Sequence, residues 1–100
     1  MIQAGPGTNA GNPAAEWERT LSLYTEQRLT KIYTNTKEIK AKQRILERSW
    51  YLFGWVGLQH RDPHEIADIL YGHLSEYRRK EPVQRVVCIV DDFRRWFASR

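Results

Sequence analysis

The chain has 100 residues, a length that fits one domain and leaves little room for a second core. Apolar residues make up 41% of it and aromatics 12%, including four Trp and five Tyr, which excludes wholesale disorder. Sixteen Lys and Arg against twelve Asp and Glu give a net charge of +4, a modest positive field that suits an anionic partner.

Residues 1–15 hold no charged side chain and are dominated by Gly, Pro, Ala, Asn and Thr, so residues 1–13 are expected to form a flexible tail. Asn12-Pro13 has the form of an N-cap followed by proline at the first helical position. A first helix is predicted over about residues 14–33, with Trp17, Leu21, Tyr24, Arg28 and Ile32 on one stripe. Thr34-Asn35-Thr36 is a cluster of turn and cap residues, with Thr36 the expected cap of the next helix.

The second helix, about residues 37–53, carries the clearest periodicity. Ile39, Gln43, Leu46, Trp50 and Phe53 fall within an arc of about 80° and form the expected core face. Lys37, Lys40, Arg44 and Arg48 project onto a similarly narrow arc on the other side, while Glu38 and Glu47 lie off that stripe. Gly54 and Gly57 then interrupt the pattern, and Trp55 falls in the turn between them.

Asp62-Pro63-His64-Glu65 combines an N-cap, an N1 proline and an acid at N3, which sets the start of a third helix at Pro63. Its inward face is expected to hold Ile66, Ile69, Leu70, His73, Leu74 and Tyr77, and it ends before Pro82. In residues 83–97 the β-branched run Val86 to Val90 favours a strand locally. Helical spacing explains more, since Val83, Val86, Val87, Val90, Phe93 and Phe97 share one face and Arg85, Asp92 and Arg95 lie elsewhere. The expected fold is therefore all-α, a compact bundle of about four helices over residues 14–100 behind a disordered N-terminal tail.

Little here points to catalysis. The lone Cys88 sits in an apolar run, where a buried thiol is expected, and it excludes an internal disulfide or a structural zinc site. His60, His64 and His73 make no HExxH pattern, and His73 reads as a core histidine. Asp91 and Asp92 are helical neighbours that point about 100° apart and do not share a proton. No phosphate-cradling or nucleophile-elbow motif occurs, so neither an enzyme nor a cofactor is expected. With no leader-like start and no run of about 18 apolar residues, the chain is expected to be cytoplasmic and free of the membrane.

The basic stripe is the main positive feature. Lys37, Lys40, Arg44 and Arg48, at three- and four-residue spacing, suit successive phosphates of double-stranded DNA, although a solvated face has the same pattern. Trp55 and Trp96 are not explained by the core faces. They are either protein-contact anchors or caps at the end of the bundle, which leaves a small inhibitor or adaptor as the alternative function.

The arrangement resembles the N-terminal core-binding, SAM-like domain of tyrosine recombinases and phage integrases. The likeness rests on Thr36, Gln43, Leu46, Trp50 and Phe53, then on Asp62 to Ile66 with Leu70, Leu74 and Tyr77, and finally on Arg85, Ile89, Phe93, Arg94 and Phe97. The resemblance implies half of a clamp around DNA, with the second and fourth helices toward the duplex. It would assign phosphate contacts to Lys37, Lys40, Arg44, Arg48, Arg85 and Arg95. The recombinase catalytic domain, with its Arg, His and Tyr nucleophile, is absent from these 100 residues, so the resemblance implies binding without strand cleavage.

Overall fold

A computed structural model of the chain describes residues 13–73 and 81–100. The predicted tail, its cap at Asn12, and the positions Leu74, Tyr77 and Arg78–Lys80 lie outside the described residues.

The first helix, α1, runs over Pro13–Tyr24, widens into a π turn at Thr25–Leu29 and closes with Thr30–Ile32. Trp17, Leu21 and Tyr24 point inward, as their spacing requires. The π turn then changes the register, because an i→i+5 turn takes in one extra residue and advances the inward face by one position. Leu29 is buried where the 3.6-residue period places Arg28, and Tyr33 is half-buried where it places Ile32, which is 44% exposed.

Helix α2 spans Thr36–His60. Its cap is Asn35 rather than Thr36, with Oδ1 accepting from the Lys37 backbone N–H at 2.8 Å, the contact that makes Asn a strong capping residue. The helix does not end near Phe53. Gly54, at φ 71° and ψ −176°, bends it instead, a backbone state that is nearly glycine-only. Gly57 meets a close approach, since a Cβ there would lie 2.7 Å from Phe53 Cβ.

Before the bend α2 buries Lys42, Ile45, Leu46 and Ser49, and after it Leu58. This face is rotated by about 70° from the predicted line. Ile39, Trp50 and Phe53 become flanking residues, and Gln43 donates from Nε2 to Thr25 Oγ1 at the π turn over 2.9 Å.

Helix α3 covers Pro63–His73 and begins where predicted. Asp62 Oδ1 accepts from the His64 backbone N–H at 2.9 Å, while Glu65 pairs with Arg61 at 2.9 Å. Ile66, Ala67 and Leu70 enter the core, but His73 is exposed and is no core histidine.

Helix α4, Val83–Ala98, is helical throughout and inserts Val86, Val87, Ile89, Val90 and Phe93. Helical phase also exposes Cys88, which lies about 200° round the axis from Val86 and so leaves the apolar face. No strand occurs among the described residues.

The four helices converge on one apolar cluster that is rich in rings. Trp17 stacks on Trp50, centroids 5.6 Å apart and planes at 5°, and meets Phe93 edge-on at 5.5 Å. Trp55 also belongs here, since the Gly54 bend carries it to 5.4 Å from Trp17 and 5.3 Å from Phe97. Trp96 lies 5.1 Å from Tyr24 and donates its Nε1–H to Gln27 Oε1 at 2.8 Å. Both tryptophans are half-buried and pack against the ring cluster at the bundle end.

Candidate nucleic-acid interface

Charges in this fold divide into those that hold helices together and those that do not. Between α1 and α4, Asp92 accepts from Tyr24 Oη at 2.6 Å and from both Nε and Nη2 of Arg28, at 3.2 and 2.8 Å. Burial would raise the Asp92 carboxyl, but these hydrogen bonds and the Arg28 and Arg95 charges outweigh it and hold the group below its ordinary value. Burial and the bond to Asp92 push the Tyr24 phenol far upward. Asp91 turns the other way, to Arg95 at 2.7 Å and Arg94 at 3.6 Å, so the two neighbouring carboxylates serve separate clusters.

Lys42 was not legible as a pairing residue. Its ammonium is fully buried and lies 2.6 Å from Glu81 Oε2, whose side chain is 9% exposed, and 5.0 Å from the Tyr33 ring centre. One signal was present, because position 42 is three residues after Ile39 and four before Leu46.

The predicted stripe behaves differently. Lys37, Lys40, Arg44 and Arg48 are all exposed along the outer side of α2, and none lies within ion-pair distance of a carboxylate among the described residues. From Lys37 to Arg48 the row runs about 16 Å at roughly 1.5 Å per residue. Arg85 is exposed and likewise unpaired among the described residues. Its charge opposes the upward shift that burial gives the Tyr33 phenol, and Tyr33 packs on Lys42, on the side of α2 away from the stripe.

Arg95 does not join this surface. Ten residues along α4 separate it from Arg85, about 15 Å in rise and about 80° in angle, and Asp91 holds its guanidinium. Four of the six expected phosphate contacts therefore share one helix face, and Arg85 and Arg95 are not part of that row.

Sequence reasoning also missed Tyr51. It follows Arg48 by three residues and Arg44 by seven, so it continues the stripe, and it is 73% exposed. The Arg48 guanidinium lies over its ring at 5.8 Å. Between α1 and α2 at this point is a cleft of about 270 Å³, lined by Trp17, Glu18, Arg44, Glu47, Arg48, Trp50 and Tyr51. Glu18 and Glu47 also border a neighbouring hollow beside Lys40 and Arg44. Glu47, placed off the stripe by its phase, therefore shares its surface.

His60 and His64 are exposed, and the described residues contain no group of three or more His, Cys, Asp or Glu able to hold a metal ion. No described helix is long and apolar enough to cross a membrane. The chain matches no protein-family model, and comparison with curated proteins and with solved structures finds no similar protein.

Proposed function

We propose that this chain is a cytoplasmic nucleic-acid-binding module that lays the outer face of α2 along the phosphates of double-stranded DNA. The observation that carries this reading is the row Lys37, Lys40, Arg44 and Arg48, exposed and without carboxylate partners among the described residues. Cations already paired within the fold have little field left for a ligand. These four retain theirs, and each phosphate they neutralise releases condensed counterions.

The α2 row is also the larger part of the surface that a resemblance to recombinase core-binding domains assigns to DNA. On that resemblance the module would act as half of a clamp around DNA. The alternative is a protein adaptor docking through Trp55 and Trp96, each half-buried and packed on one side against Trp17, Phe97 or Tyr24.

The combined variant Lys40→Ala, Arg44→Ala, Arg48→Ala tests the proposal. All three side chains are exposed, so the helical circular dichroism is expected to stay unchanged. Fluorescence anisotropy with a labelled duplex is expected to show at least a ten-fold loss of affinity. Equal binding by the variant and the parent chain contradicts the assignment.

A further inference from the structure

A row of cations facing only phosphates has no use for carboxylates, yet two stand beside this one. Glu18 from α1 and Glu47 from α2 line the same cleft as Arg44 and Arg48, together with the rings of Trp50 and Tyr51. Against a bare phosphate backbone the two acids are repulsive and the aromatic surface is idle.

A different ligand uses all of these groups at once. An unpaired base offers a flat face for stacking on aromatic side chains, a phosphate on each side for the cations, and a free Watson–Crick edge. On cytosine, adenine and guanine that edge carries an exocyclic amino group, whose N–H protons a carboxylate accepts. Within an intact duplex the same face is stacked and the same edge is paired.

We propose that the cleft between α1 and α2 seats one unpaired, amino-bearing nucleotide, with Tyr51 and Trp50 as the stacking surface, Glu18 and Glu47 as acceptors for the amino group, and Arg44 and Arg48 on the flanking phosphates. This rests on the nucleic-acid reading of the α2 face and narrows its ligand to DNA with an unpaired stretch. Tyr51 is well placed for the task. It is 73% exposed, so its ring is accessible to a base, and the Arg48 guanidinium lies 5.8 Å from its centre. Behind it Trp50 is fixed by its stack on the buried Trp17, which leaves a rigid wall at the base of the cleft.

The test uses three labelled duplexes of one length, one fully paired, one with a central bulge of three dC and one with a bulge of three dT, each titrated by anisotropy at one salt concentration. The dC-bulged duplex is expected to bind about ten-fold more tightly than the paired one. The dT bulge, which lacks an amino group, is expected to fall well short of the dC bulge. With Tyr51→Ala, the dC-bulged duplex is expected to bind no better than the paired duplex does to that same variant.

Equal affinity for all three duplexes overturns the inference while leaving the basic-face reading intact. Equal preference for the dC and dT bulges, or a dC preference that survives Tyr51→Ala, overturns it as well. Absence of binding to every duplex removes the basic-face reading and the inference with it.

Discussion

The seam between α1 and α4 and the outer face of α2 use charge in opposite ways. At the seam, Asp92 collects three hydrogen bonds from Tyr24 and Arg28 beside a packed set of rings, so its charge is spent on fixing two helices. On α2 the four cations of the stripe stand exposed, with no acid at ion-pair distance among the described residues. Net charge alone does not separate these populations. Partnering does, and it sets the α2 row apart from the cations that bind the helices together.

Three substitutions sharpen the contrast by probing the internal side. The largest effect is expected at the buried Lys42–Glu81 pair, where Lys42→Met strands a carboxylate in the core and costs about 3–5 kcal/mol in urea unfolding. The double variant Lys42→Met, Glu81→Leu is expected to recover most of that loss. A single variant as stable as the parent would show that the pair does not bridge α2 to the start of α4.

Gly54→Ala comes next. No atom lies within 4 Å of the added Cβ, so the whole cost is the positive φ of 71°, about 1–3 kcal/mol by the same unfolding measurement. An unchanged midpoint would mean that the α2 bend is not fixed at this residue.

Asp92→Asn is expected to have the smallest effect of the three, about 1–2 kcal/mol near neutral pH. It also carries a pH signature. The carboxyl is held below its ordinary value of 3.8 in the fold, so its stabilisation is complete above that pH and fades as the pH falls through the lower folded value. The parent chain should lose stability on acidification through this window more steeply than the variant, as followed by thermal melts. Parallel curves would show that Asp92 makes no such contribution.

Much of the architecture was legible because helices announce themselves through spacing and punctuation. Pro63 after Asp62 set the start of α3, and the Val86, Val90 and Phe93 line overrode the local β-branched preference in α4. What was hidden depends on events that a uniform period does not contain. The π turn at Thr25–Leu29 exchanged Arg28 and Ile32 for Leu29 and Tyr33, and the Gly54 bend carried Trp55 into the ring cluster.

Residue type misleads in two places for the same reason. A charged side chain hides Lys42 from any list of apolar core positions, and apolar neighbours make Cys88 look buried, whereas helical phase puts Lys42 inside and Cys88 outside. The basic stripe was legible because its spacing is regular. Tyr51 belongs to the same spacing and escapes notice when only cations are followed along it.

The most direct test of the outer face is the salt dependence of duplex binding between about 50 and 200 mM monovalent salt, a range over which released counterions dominate affinity. Four phosphate contacts predict a slope of log affinity against log salt of about −3.6, at roughly −0.9 per phosphate, and the triple variant Lys40→Ala, Arg44→Ala, Arg48→Ala should flatten it by about 2.7. A slope near zero, or one that the triple variant leaves unchanged, contradicts the assignment of the α2 face to DNA.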